Sequence, residues 1–266
     1  SLFLHPCQII QTKPLNRKQN SVALIKSISG IRGTIGGSPG NNLTPVDIIK
    51  FTAAFANVIV AGNKKAKIVI GRDGRISGQM VRDIVVSTLT SLGIDVIDLG
   101  LSTTPTVEIA VREEKADGGI ILTASHNPKE WNALKLLNSD GEFISAELGS
   151  KVLDKATRED FVFNTVDHLG TVTFNDSYLQ KHIDAILKYP LVNKDAIASQ
   201  QFRIVVDGIN STGSTFVPAL LKALGVEYVT VLNEEVNGRF AHNPEPLPQH
   251  LAELSREVIK QKAHLG

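Results

Sequence analysis

A single cysteine, Cys7, among 266 residues excludes an intramolecular disulfide and points to a reducing, cytoplasmic setting. No apolar run approaches the roughly 20 residues needed to cross a bilayer, so no membrane partner is expected. Charge bias is also lacking. Twenty-eight Lys and Arg against 27 Asp and Glu leave a net charge of +1, which removes any global argument for a nucleic-acid partner. An anionic ligand must therefore be held by a local cluster of basic groups. The seven histidines form neither His-x-His nor His-Glu-x-x-His, which argues against zinc. Neither a Gly-x-Gly-x-x-Gly fingerprint nor a Gly-Lys-Ser/Thr loop occurs, which argues against a dinucleotide site and a P-loop.

What is present is a globular composition, 42% hydrophobic and 21% charged, long enough for one large or two medium domains. Residues 1–21 are too polar and broken for a signal peptide and read as an expression remnant, an upstream read-through or a disordered leader. Thr44-Pro45-Val46-Asp47 opens a helix, with Thr as N-cap, Pro in the first position and an acid in the first turn. Strand-like "KIVIG", "IDVIDLG" and "GGIILTA" then alternate with helical "GQMVRDIVVSTLTSLG" and "TPTVEIAVREEKA". A second cycle runs through "DSYLQKHIDAIL", "FRIVVD", "STGSTFVPALLKALG", "VEYVTVL" and "LPQHLAELSREVIKQK". This alternation predicts two α/β domains with mostly parallel sheets, spanning 22–170 and 171–266. The chain stops at "AHLG", where another strand could begin, so the second domain is expected to be cut short.

Ligands of open parallel sheets sit at the carboxyl ends of strands, and "GRDGRIS", "TASHNPKEWN" and "DGINSTGS" occupy such ends. In the second of these, Ser125 follows an apolar strand among small neighbours, and Pro128 stiffens the loop. Lys135 lies ten residues on, in "ALKLL", which could fold back beside the serine. A strand-end serine near His126, Asn127 and Lys135 suits covalent phosphoryl transfer, yet the same residue types also build an ordinary polar turn. No Gly-x-Ser-x-Gly elbow surrounds Ser125, which argues against an α/β-hydrolase. His-Asn-Pro recurs at 242–244, where Phe240-Ala241 offer no nucleophile and Glu245 would repel an anion. That copy reads as structural or site-lining. For Arg75 the expectation is a βα turn with its charge in solvent, and for Asp207 a residue ordering its own strand–helix turn.

"TASHNP", with Asn132 and Lys135, resembles the phosphoserine loop of the α-D-phosphohexomutase superfamily, which includes phosphoglucomutase/phosphomannomutase and phosphoglucosamine mutase. "SGIRGTIGG", "IVIGRDGRISG", "IVVDGINSTGS" and "HNPEPLPQHL" resemble further segments of that family, in the right order from about Ala23 onward. The resemblance implies two Rossmann-like α/β/α domains with mixed, mostly parallel sheets. It implies a phosphate carried on Ser125, Lys135 as general acid/base, His126 as a donor, and Arg32, Asn127 and Asn132 as phosphate or substrate contacts. The partners would be a hexose or hexosamine phosphate and a bisphosphate activator. Mg²⁺ would be bound by three aspartates in one loop together with an oxygen of the Ser125 phosphate. No Asp-x-Asp occurs here, Asp73, Asp140 and Asp207 are poor substitutes, and these 266 residues are expected to lack a complete active site. Ala133 stands where many relatives have glycine, which predicts a slightly altered loop. Thr123 opens the loop where phosphoglucosamine mutases often have serine. A non-catalytic sugar-phosphate-binding or structural fragment is the alternative of another class, and a downstream Asp-x-Asp-x-Asp loop would discriminate.

Overall fold

The computed structural model describes residues 23–27, 30–60, 62 and 65–266. The leader expected over residues 1–21 lies outside them. The chain runs β1 (Ile25–Ser27), β2 (Gly30–Thr34), α1 (Pro45–Val60), β3 (Lys67–Arg72), α2 (Gly78–Ser91), β4 (Asp95–Leu101), α3 (Thr104–Glu113), β5 (Gly118–Leu122), β6 (Trp131–Leu137) and α4 (Ala146–Arg158). It continues with β7 (Val172–Phe174), α5 (Tyr178–Leu187), α6 (Lys194–Ser199), β8 (Arg203–Asp207), α7 (Gly213–Ala223), β9 (Tyr228–Leu232) and α8 (Ala252–Lys260).

The first sheet has seven strands in the order β1-β2-β6-β5-β3-β4-β7. β3, β4, β5 and β7 are mutually parallel, whereas β6, β2 and β1 are joined by antiparallel pairs. The glycine-rich Gly30–Thr34 is thus a strand, β2, paired antiparallel with the edge strand β1 on one side and with β6 on the other. Gly30 has φ +140°, and a Cβ there would meet the Leu134 carbonyl oxygen at 2.2 Å. Only glycine lets β2 approach β6 this closely. β7 lies beyond residue 170 and still pairs with β4, so the first sheet extends past the boundary expected from sequence.

Side chains alternate across each strand and fill two separate cores. Ile68, Ile70, Ile120, Leu122, Leu134 and Leu136 point toward α1, α2 and α4. Val69, Ile121 and Leu137 point the other way, toward Val107, Ala110 and Val111 of α3 and Tyr178 of α5. Helix α1 starts as expected: the buried Asp47 accepts from Thr44 N at 3.2 Å and Gly40 N at 2.9 Å, and the Thr44 hydroxyl also donates to it.

The second sheet pairs β8 with β9 in parallel, and Leu265 bridges to Ile204 on the other side of β8. Helix α5 joins the modules. His182 Nδ1 lies 2.9 Å from Thr106 Oγ1 of α3, and its ring is 4.8 Å from Phe216 of α7.

Candidate active site

Five apolar or small buried residues of β5 deliver the chain to the loop 123–130 at the strand's carboxyl end. There Ser125 is exposed and has φ +54°, a left-handed conformation that serine rarely adopts. Such backbone persists only where the surroundings impose it. Ser125 N donates to Thr123 Oγ1 at 3.0 Å, and Thr123 Oγ1 donates to Asp73 Oδ2 at 2.6 Å. The Asn127 N–H and amide close the turn onto the Ala124 carbonyl.

The main support comes from Arg75. Its Nη2 donates to the carbonyls of Ser125 and Asn127, and Nη1 to those of Pro128 and Trp131, at 2.8, 2.8, 2.8 and 2.9 Å. Its Nε donates to Asp73 Oδ2 at 3.1 Å. Sequence left Arg75 in solvent. The structure corrects this: Arg75 is only 2% exposed, because a guanidinium whose five donors all find oxygen can be buried. Burial pushes the Asp73 carboxyl up, while Arg75, Thr123 and the backbone pull it down. The missed signal was the Asp73-Gly-Arg75 spacing at a strand end.

β6 returns antiparallel to β5, so "ALKLL" does fold back, with Ile121 facing Lys135 across the pair. Gly30 pairs with Lys135 and Arg32 with Ala133, placing Arg32 and Lys135 on one face of the sheet. A cavity of about 380 Å³ opens on that face and brings together Ser125, Lys135, Arg32, His126 and Asn127. Lys135 is half-buried and its pKa is lowered from 10.5. Desolvation is the largest cause; Asp73 and Glu108 oppose it, and the positive Arg32 and Arg75 add to it. Burial raises the Glu108 carboxyl, with Lys135 working against that.

Asn132 stands apart. It is fully buried on the opposite face, donating to Ser77 Oγ at 2.9 Å and accepting from Ala133 N at 2.8 Å. The period of two puts it on the face away from Lys135, so its amide ties β6 to the start of α2 and does not line the cavity. Ala133 pairs in extended strand without positive φ, so alanine in place of glycine leaves the loop unperturbed there.

Among the described residues no group of three or more His, Cys, Asp or Glu could hold a metal ion. Asp73 is committed to Arg75 and Thr123. Asp207 accepts from Ile209 N and Asn233 Nδ2 at 3.0 Å each, and from His242 Nε2 at 2.7 Å. Asp207 thus orders its own turn as expected, and the pairing with the second His-Asn-Pro is additional. Burial would raise Asp207, but the Asn233 and His242 hydrogen bonds prevail and lower it. For His242, burial would lower the pKa, and the bonds to Asp207 and the Asn243 carbonyl outweigh it, raising it from 6.5.

Two α/β/α modules in tandem, with a strained strand-end serine beside a lysine and an arginine, define the architecture. The family descriptions "Phosphoglucomutase/phosphomannomutase, alpha/beta/alpha domain I" and "domain II" match residues 24–163 and 180–266. A phosphoglucomutase/phosphomannomutase of Thermococcus kodakarensis is 37% identical over 86% of this chain and 50% of its own length. A phosphoglucosamine/phosphogalactosamine mutase of Sulfurisphaera tokodaii is 32% identical over 89% and 50%. The crystal structure of a phosphoglucomutase/phosphomannomutase family protein from Burkholderia thailandensis has the same fold, with TM-score 0.69, 21% identity, and coverage of 92% of this chain and 51% of that one. The chain belongs to the phosphoglucomutase/phosphomannomutase family. It spans about half the length of the curated relatives it matches.

Proposed function

We propose that the chain forms the phosphoserine-bearing part of a cytoplasmic phosphohexomutase, which exchanges the 1- and 6-phosphates of a hexose through a bisphosphate intermediate. The observation that carries this reading is the convergence of Ser125, Lys135 and Arg32 on one cavity at the end of β5. Phosphorylated Ser125 would bring a charge of roughly −1.5 to −2, and Arg32 offers a planar fork of donors to hold it.

In the transfer, a sugar hydroxyl attacks phosphorus, a new P–O bond forms and the bond to Ser125 Oγ breaks. Lys135, whose lowered pKa favours the neutral amine, takes the hydroxyl proton and passes it to Oγ, which leaves as a hydroxyl. After the bisphosphate reorients, the reverse steps return its other phosphoryl group to Ser125. His126 and Asn127 would donate hydrogen bonds to the transferring oxygens. Mg²⁺ would neutralise charge on the phosphoryl group when bound. Among the described residues no group of three or more His, Cys, Asp or Glu could hold it, and this chain would contribute an oxygen of the Ser125 phosphate to its binding.

Relatives named for glucose or mannose phosphates and for hexosamine phosphates match at comparable identity, which keeps phosphoglucosamine mutase as a second reading. A coupled assay of the full-length protein with glucose, mannose and glucosamine phosphates decides between them. Incubation with glucose 1,6-bisphosphate followed by peptide mapping should place one phosphoryl group on Ser125. Full activity in Ser125→Ala would overturn the proposal.

A further inference from the structure

Ser125 does not hold its own conformation; Arg75 does, through the carbonyls of Ser125, Asn127, Pro128 and Trp131. Arg75 is itself held by the second module. The Phe240 ring lies 5.2 Å from the guanidinium carbon, covering one face of it. Next to it, backbone meets backbone: a Cβ on Gly238 would lie 2.3 Å from Gly74 O and 2.5 Å from Ile76 N. Gly74 N donates to Ser211 Oγ at 3.0 Å, so the 73–75 turn is gripped by two loops of the second module. Gly238 N in turn donates to Asn210 O at 3.0 Å, which ties those two loops to each other.

We propose that the Gly238–Phe240 segment is a latch on Arg75, and that Arg75 and Phe240 are positioning residues through which the second module sets the placement of Ser125. Sequence near the second His-Asn-Pro then has a task at the first one: Phe240 caps the side chain on which the Ser125 loop hangs. Removing the ring leaves Arg75 its oxygen partners and exposes one face to water. The four-carbonyl grip loosens, and Ser125 gains freedom to leave its left-handed conformation. Displacement of a reacting group by about 1 Å can cost on the order of a hundredfold in rate. This inference rests on the reading of Ser125 as the phosphoryl carrier.

The test uses full-length protein with Phe240→Ala, Phe240→Tyr and Ser125→Ala side by side. Phe240→Ala should lower kcat, and the rate of Ser125 phosphorylation by glucose 1,6-bisphosphate, about 10- to 100-fold. KM for the sugar phosphate should stay within about twofold, because ground-state binding is untouched. Phe240→Tyr, which keeps the aromatic face, should restore both rates. Wild-type rates in Phe240→Ala, or an equal loss in Phe240→Tyr, would overturn the latch. If Ser125→Ala is inactive while Phe240→Ala is unimpaired, the latch alone fails. Full activity in Ser125→Ala removes the reading of Ser125 itself.

Discussion

Residues 126–128 and 242–244 spell the same tripeptide, and the protein uses them differently. The first follows Ser125 in a loop suspended from a buried guanidinium, with the serine backbone at φ +54° and a cavity containing Lys135 and Arg32 beside it. The second lies on a carboxylate: His242 bonds to Asp207, and Ala241 N donates to Asn210 Oδ1. His-Asn-Pro by itself is turn chemistry, an imidazole and an amide beside a ring that stiffens the chain. What surrounds it decides whether a nucleophile is offered or a strand end is tied down.

Swapping the hydroxyl tests that contrast most severely. In the full-length protein, Ser125→Ala combined with Ala241→Ser gives the second stretch the spelling Ser-His-Asn-Pro. Turnover should remain at least about a thousandfold below wild type, because neither a lysine nor a strained backbone accompanies the new hydroxyl. Recovered turnover, or phosphate at position 241, would break the comparison. Next in size, Lys135→Met should lower kcat/KM by about 10²- to 10⁴-fold. The amine acts when neutral and its pKa is lowered, so the wild-type rate should climb with pH through a limb below 10.5. The same limb in Lys135→Met would assign it to another group.

Two smaller effects concern stability. Ser125→Gly should be more stable than Ser125→Ala by about 1 kcal/mol in urea unfolding, since glycine accepts positive φ without strain. Equal midpoints would mean that the loop stores no strain at Ser125. His242→Ala should cost only about 0.5–1 kcal/mol, because the pair is partly screened by solvent, and leave kcat within twofold. The sign of its pH dependence follows from the two shifts. His242 is raised above 6.5, so its share is complete below that pH and is lost as pH rises through the folded value. Asp207 is depressed below 3.8, so its share is complete above 3.8 and is lost as pH falls. The wild type should therefore exceed His242→Ala most between about pH 4 and 6.5. A constant difference from pH 4 to 9 would show that the pair does not titrate with folding.

Much of the architecture was legible because its signals are local. The short apolar runs of β3, β4 and β5, buried on both faces, the 3.6-period helices between them and the Thr44–Asp47 cap all lie within short windows. Helix α4 also carries a readable start: Ser145 Oγ accepts from Leu148 N, and Val152 and Ala156 repeat at helical spacing. The β1–β2 hairpin was harder to read, since glycine-rich sequence looks like loop and Gly30 becomes strand only against β6. The face of Asn132 was legible only once β6 is known to be a strand: an offset of three from Lys135 then puts it on the opposite face.

Sequence alone determined the succession of elements and put Ser125 just after one apolar run and Lys135 within the next, because those signals are local; that the second run folds back beside the first was decided by the sheet. Tertiary structure decided which charges are buried, how Ser125 is strained and what each His-Asn-Pro does. Those outcomes depend on partners distant in sequence: Arg75 and Phe240 for the Ser125 loop, and Asp207 for the second His-Asn-Pro. Burial, aromatic stacking and a left-handed backbone are properties of packing, and no local pattern encodes them.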